Sequence, residues 1–172
     1  MHASNVFGCV FPIKEIGKLA HDNGIIFIVD AAQSAGVLDI DAGRDNIDIL
    51  CTPGHKGLYA PMGSGFIAVG DGITLDTIIE GGTGSMSMIL SQPKDLPDRL
   101  ESGTLNNVAI CGLAAGIDFV NSKKIDNIYN HEKSLMNMVY KEMSKNENVT
   151  LYTPDFKDAF SAPILSFNFK DY

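Results

Sequence analysis

Apolar residues first recur at helical spacing at Ile13, Ile16, Leu19 and Ala20, behind Pro12 and ahead of Asn23-Gly24. Proline is tolerated in a first helical turn and Asn-Gly supplies a stop, so the spacing predicts a helix between them. The pattern then changes to IIFIVD at residues 25–30, an unbroken apolar run closed by a carboxylate. A short β-branched run of this kind predicts a strand buried in a parallel sheet. Two similar runs follow. Residues 47–52 come after a polar stretch holding Gly43 and Asp45, and residues 65–69 end at Gly70-Asp71-Gly72, which predicts a second and a third strand.

Helical spacing returns after Asn106-Asn107. Val108, Ile110, Cys111, Leu113, Ala114, Ile117 and Phe119 form a small-residue-rich apolar segment, expected to lie buried between layers. Residues 125–145 place Ile128, Leu135, Met138, Val139 and Met143 on one side and charges on the other. Strand candidates at residues 149–152 and 164–169 close the pattern. The order of elements reads as α/β. The switch at residues 121–124 marks an expected boundary between a first unit, residues 1–121, and the beginning of a second, residues 122–172.

His2-Ala3-Ser4-Asn5 reads as the loop after a strand, and Asp171-Tyr172 directly follow one. Parallel strands require crossovers, and only one clear crossover unit is present. An internal piece of a larger protein is therefore expected. A chain of 172 residues is long enough for a sizeable core. Its formal charge of −8 has the wrong sign for a surface that tracks a phosphate backbone, so no nucleic-acid partner is expected. The apolar runs fall far short of the ~20 residues of a spanning helix, and no export signal opens the chain. Cys9, Cys51 and Cys111 are odd in number and lack CxxC spacing, which suits a reducing cytoplasm and small buried apolar roles.

Chemistry concentrates after the first two strands: Asp30, Gln33 and Ser34 after one, Thr52, His55 and Lys56 after the other. In open α/β sheets the carboxyl ends of parallel strands form the ligand crevice, so both groups are expected at one cavity. An aspartate there can equally cap a turn, and a lysine can equally be solvated. The segment TPGHKGLYAPMGSG, residues 52–65, favours the chemical reading, because glycine and proline hold the lysine on a tight, non-repetitive path. A lysine amine can form a Schiff base with an aldehyde cofactor. A nearby aspartate can keep a pyridinium nitrogen protonated, which suits pyridoxal phosphate.

Four blocks, HASNVFG (2–8), VDAAQSAG (29–36), TPGHKGLYAPMGSG (52–65) and RLESGTLNN (99–107), occur in the order and rough spacing of a known family. The chain thus resembles the class V fold-type I pyridoxal-phosphate enzymes, and among them the cysteine desulfurase-like proteins. The resemblance implies the large domain of the three-layer fold-type I architecture, in part, followed by the start of a small α+β domain. It implies that Lys56 bonds the cofactor and shuttles the proton at the substrate Cα, and that Asp30 pairs with the pyridine nitrogen. Gln33 and Asn5 would lie near the phenolic oxygen and His55 would reach the phosphate. Gly103 and Thr104 resemble a pair that approaches the cofactor phosphate of a neighbouring subunit, which implies a homodimer with shared sites. Gly81 to Gly84 is similar to a glycine-rich loop near the same interface.

Where many members carry serine or threonine as a phosphate ligand, this chain has Pro53, and Thr52 is the neighbouring substitute. The family's substrate-side cysteine, its carboxylate-gripping arginine, its main phosphate turn and its ring-stacking residue correspond to no position here. The resemblance implies a small amino-acid substrate, with L-cysteine converted to L-alanine as sulfur is transferred, and this piece alone is not expected to turn over. A class V aminotransferase or a selenocysteine lyase keeps the cofactor with another reaction. A third alternative is a folding or dimerisation unit that binds no cofactor. The GxGxxA match at residues 63–68 precedes a strand and lacks the strand-to-helix setting of a dinucleotide site. His21 and His131 read as solvated helix-face residues. Met86, Met88, Met136, Met138 and Met143 read as packing residues.

Overall fold

The computed structural model describes residues 1–86, 88–155 and 161–170. Asp171 and Tyr172 lie outside the described residues. The first helix, α1 (Ile13–Asp22), starts directly after Pro12. Its stop is the predicted one: Asn23 N–H donates to Ala20 O, and Gly24 follows with φ +66°. The buried face differs from the expected one. Ile13 and Gly17 are buried, whereas Leu19 is 65% exposed. A Cβ on Gly17 would stand 2.2 Å from Asp45 O, so the helix is seated by a glycine against backbone and not by a leucine ridge.

Three strands form the main sheet in the order β1 (Ile28–Asp30), β2 (Ile49–Pro53), β3 (Gly65–Val69). β1 and β2 are parallel, with Ile28 opposite Ile49 and Asp30 opposite Cys51. β3 corrects the expected parallel arrangement: it runs antiparallel to β2, with Pro53 opposite Gly65 and Ile49 opposite Val69. The physical reason is the connection, since residues 54–64 fold into tight turns with no helix to carry the chain back. The run IIFIVD is also a shorter strand than predicted. Ile25, Ile26 and Ile28 are more than half exposed, because β1 is the edge of the described sheet.

Behind this sheet Ile13, Val29 and Ile47 form one core cluster, with Phe27, Ile40 and Leu50 packed on it. A second cluster of Leu58, Ala60 and Leu113, with Ala35 and Ile117, joins the segment after β2 to the helix α2 (Asn107–Lys123). Asn106 caps α2 by accepting from Ala109 N–H at 3.1 Å. Burial along α2 is narrower than expected. Ala109, Leu113, Gly116 and Val120 are buried, while Val108, Ile110 and Phe119 are exposed.

Lys124, at φ +67°, separates α2 from α3 (Ile125–Met143), in the interval where the sequence places its boundary. α3 buries Ile128 and leaves Leu135, Met138 and Val139 exposed. β4 (Val149–Leu151) and β5 (Phe167–Phe169) make a separate antiparallel pair. No helix among the described residues is long and apolar enough to cross a membrane.

Candidate active site

The carboxyl end of β1 is held from two sides. The Asp30 carbonyl accepts from His2 N–H at 2.8 Å, and Ala31 N–H continues the ladder by donating to Cys51 O at 2.8 Å. Asp30 Oδ1 accepts from Ala32 N–H at 2.8 Å, the turn-initiating use of an aspartate. Its Oδ2 takes no hydrogen bond among the described residues, which leaves one oxygen for an outside donor. The chain then coils tightly, with Ala35 N–H on Ala31 O and Leu38 N–H on Ser34 O. Ser34 is fully buried and Gln33 half-buried.

The lysine segment is a closed loop on the next strand end. Ala60 N–H donates to Gly54 O at 2.9 Å, Gly54 N–H to Ser64 O at 2.8 Å, and Tyr59 N–H to Lys56 O at 3.0 Å, with Tyr59 at φ +55°. Glycines let this loop touch its neighbours at backbone distance. A Cβ on Gly36 would meet Gly57 O at 2.0 Å, and one on Gly57 would meet Ala35 O at 2.3 Å. On the other side, a Cβ on Gly116 of α2 would meet Leu58 O at 2.0 Å. The loop carrying His55 and Lys56 is thus clamped between the turn after Asp30 and the small-residue face of α2. Both His55 and Lys56 are exposed.

Two cavities divide the predicted residues. Gln33 and Lys56 line a groove of about 220 Å³ together with Tyr59, Glu132 of α3 and residues 163–164. Asp30 and Thr52 line a larger, apolar cavity of about 470 Å³ with Phe66, Ile67 and Leu100. In it the Thr52 hydroxyl donates to Pro53 O at 3.3 Å. Burial, followed by the Asp30 charge, pushes the neighbouring Cys51 thiol up, so it is a poor nucleophile. Asn5, His55, Gly103 and Thr104 line neither cavity.

Asn5 sits exposed in a turn whose Ser4 hydroxyl accepts from Val6 and Phe7 N–H, each at 3.1 Å. That turn abuts the groove's far wall, because a Cβ on Gly8 would stand 3.1 Å from Ile164 O. Gly103 and Thr104 lie elsewhere. Gly103, at φ +82°, donates its N–H to Gly82 O at 3.0 Å, which joins the two glycine-rich segments singled out in the sequence.

Buried groups that sequence pattern did not assign lie behind Asp30. His2 is buried, and its Nδ1 has no partner among the described residues. Burial lowers its pKa below the ordinary imidazole value, against the pull of Asp45. Asp45 is itself buried and gripped by Arg44 through two hydrogen bonds of 2.8 Å. Those bonds hold its carboxyl below the usual range, with burial opposing them. A lone histidine in a loop motif carries no burial signal in sequence. His21, read as a solvated residue, is exposed but tied to Asp48 at 3.0 Å.

The aminotransferase class-V family model matches residues 1–172. The probable cysteine desulfurase of Methanothermobacter thermautotrophicus is 34% identical over 172 residues, 97% of this chain and 42% of the relative. The cysteine desulfurase of Escherichia coli O157:H7 is 32% identical over 158 residues, 89% of this chain and 39% of that protein. The apo structure of cysteine desulfurase from Thermococcus onnurineus NA1 superposes with a TM-score of 0.82 at 31% identity, covering 99% of this chain and 43% of the other. The chain therefore spans about two-fifths of the length of the relatives it matches, and its fold is a partial α/β domain of the cysteine desulfurase type.

Proposed function

Because the chain belongs to the class V aminotransferase family, we propose that it furnishes the lysine-bearing part of a pyridoxal-phosphate-dependent cysteine desulfurase-like enzyme. The observation that carries this reading is the clamped loop: Gly36 against Gly57 and Gly116 against Leu58 hold the loop of Lys56 between the turn that follows Asp30 and α2. An ordinary solvated lysine needs no such seat. The residues present also fit the group chemically, with an exposed amine at Lys56 and an unshared carboxylate oxygen at Asp30.

When bound, pyridoxal phosphate serves as an electron sink for charge developing at the substrate Cα. Lys56 Nζ would bond the cofactor and afterwards take and return the proton at Cα. Asp30 would accept the hydrogen bond of the pyridine N–H, Gln33 and Asn5 would lie by the phenolic oxygen, and His55 and Thr52 would bind phosphate. Gly103 and Thr104 would serve a second subunit's site in a homodimer. The substrate is a small amino acid, and the reaction transfers sulfur from L-cysteine to an acceptor and leaves L-alanine. Residues 1–121 would belong to the cofactor-binding domain and residues 122–172 to the start of the small domain, in a soluble cytoplasmic enzyme.

The test is a visible spectrum recorded with added pyridoxal phosphate. An absorbance of lysine-bound cofactor in the wild type, absent in Lys56→Ala, is the expected outcome. Identical spectra for the two proteins, or no band in either, would overturn the reading. Asp30→Ala is expected to weaken binding of the cofactor in the same titration.

A further inference from the structure

Behind the strand end that bears Asp30 lies an ionisable group that the proposed reaction does not use. His2 is 5% exposed, and both of its backbone groups are committed. Its N–H donates to Asp30 O and its carbonyl accepts from Phe11 N–H, each at 2.8 Å. Residue 2 therefore links the carboxyl end of β1 to the segment 9–11, which Ala3 also meets through its bridge to Val10. The ring nitrogen Nδ1 has no partner among the described residues. An unmet buried N–H is rarer than an unmet buried acceptor, which assigns the ring proton to Nε2. A second proton would have to enter at Nδ1, where no acceptor stands. Asp45 acts on His2 by its charge, but both of its oxygens already accept, Oδ1 from Arg44 and Oδ2 from Arg44 and from Asp41 N–H at 3.0 Å. Burial accordingly lowers the His2 pKa below the ordinary imidazole value; Asp45 pulls the other way, and the Met1 amino group adds to the lowering.

We propose that His2 is a positioning residue for Asp30: its neutral, buried ring holds the carboxyl end of β1 closed, and proton uptake by that ring opens the end and displaces the carboxylate. The role rests, for its part in the reaction, on the reading of Asp30 given above. A charged ring in this site requires water at Nδ1 or a new bond to Asp45. Either one moves residue 2, and with it the N–H that holds Asp30 O. Asp30 Oδ1 accepts from Ala32 N–H, so the carboxylate and the turn that follows it move together. The charged groups on the elements that meet His2 come from three places. Asp45, with Asp41 and Arg44, belongs to one turn, Asp30 to the strand end, and the amino group to Met1. Cys9, Val10 and Phe11, on the remaining segment, bring no carboxylate or base.

Amide exchange of the full chain, followed by NMR between about pH 8 and pH 5 and divided by the intrinsic rate at each pH, measures the strand end without any cofactor. In the wild type the amides of His2, Phe11 and Ala32 are expected to exchange progressively faster below about pH 6.5, approaching about tenfold per pH unit, the limit for one proton. In His2→Gln, which takes up no proton there, the same amides should show no such dependence. A flat profile in the wild type, or equal acceleration in the two proteins, overturns the proposal. Should His2→Gln not fold, the His2 imidazole C–H resonance of the wild type is followed in the same samples. Acceleration that sets in above the pH at which that resonance titrates supports the proposal; acceleration only below it, or none, overturns it. Titration with pyridoxal phosphate at the same pH values separates this role from the cofactor reading. Affinity that falls on acidification more steeply in the wild type than in His2→Gln supports both. An exchange response in a chain with no cofactor band leaves the coupling of His2 to the strand end standing and removes the enzymatic reading. A band with the same pH dependence in both proteins overturns the proposal and keeps the enzymatic reading.

Discussion

The lysine loop and the stretch from residue 71 to residue 106 are both rich in glycine, and they use it for opposite purposes. In the first, Gly36, Gly54, Gly57 and Gly116 stand where a Cβ would fall within 2.3 Å of a neighbouring atom. In the second, Gly82, Gly84 and Gly103 have nothing within 4 Å, and Ile78, Met88 and Leu90 are almost fully exposed. Among its described residues the second stretch holds one short 3-10 turn, Asp98–Leu100, and a Gly103–Gly82 hydrogen bond joins its two glycine segments. Glycine in the lysine loop is a packing requirement that fixes an amine in place. At Gly82, Gly84 and Gly103 of the 71–106 stretch no neighbour excludes a Cβ, so glycine there answers to backbone conformation and not to packing.

Substitutions at the clamp should have the largest effect. Gly36→Ala combines a positive φ with a direct collision on Gly57 O and is expected to cost about 3 kcal/mol in denaturant unfolding. A loss below about 1 kcal/mol would mean that the two loops are not locked together. Gly116→Ala, without the φ term, is expected to cost somewhat less, about 2 kcal/mol. Relief of the collision by movement of the loop would show as a lost cofactor band.

An effect of intermediate size is expected from pH. His2 has a folded-state pKa below the ordinary value of about 6.5, so the unfolded chain binds more protons and stability falls as pH drops below about 6.5. His2→Gln should flatten that limb of the stability profile. Asp45, depressed by Arg44, contributes stability that is complete above the ordinary carboxylate range and is lost only as pH falls through its lower folded-state value. Arg44→Met should accordingly move acid unfolding to higher pH. Hydrogen exchange sharpens the contrast: amides of residues 28–38 should lose protection between pH 7 and 5, while those of residues 76–84 should change little.

The smallest effects belong to the open stretch. Gly103→Ala carries only the positive-φ penalty of about 1 kcal/mol, and Gly82→Ala is expected within about 0.5 kcal/mol of the wild type. A large loss at Gly82 would show that the stretch is packed after all.

Much of this was legible in the residues. Pro12 and Asn23-Gly24 bracket α1, and the run at residues 65–69 is β3 without adjustment, because caps and short apolar runs are local signals. Strand direction was not legible, since an apolar run reads the same in either sense, and the helix-free path of residues 54–64 decides it. Nor was the depth of burial. Val108 and Phe119 fit an apolar helix pattern but lie outside the stripe of Ala109, Leu113, Gly116 and Val120 that meets the lysine loop. At the site, the single cavity expected at the two strand ends is divided: Gln33 and Lys56 line one groove, Asp30 and Thr52 another. Glu132 lies 76 positions from Lys56 in a charged helix, where no spacing rule connects the two.

Lys56 should differ from every other lysine in the chain because its loop is clamped at a strand end. Borohydride reduction after incubation with pyridoxal phosphate converts the lysine-bound imine into a stable secondary amine, and peptide mapping then locates it. A pyridoxyl group confined to the peptide carrying Lys56 is the expected result. Label spread over Lys14, Lys18, Lys94 and the other surface lysines, with no preference for Lys56, would contradict it.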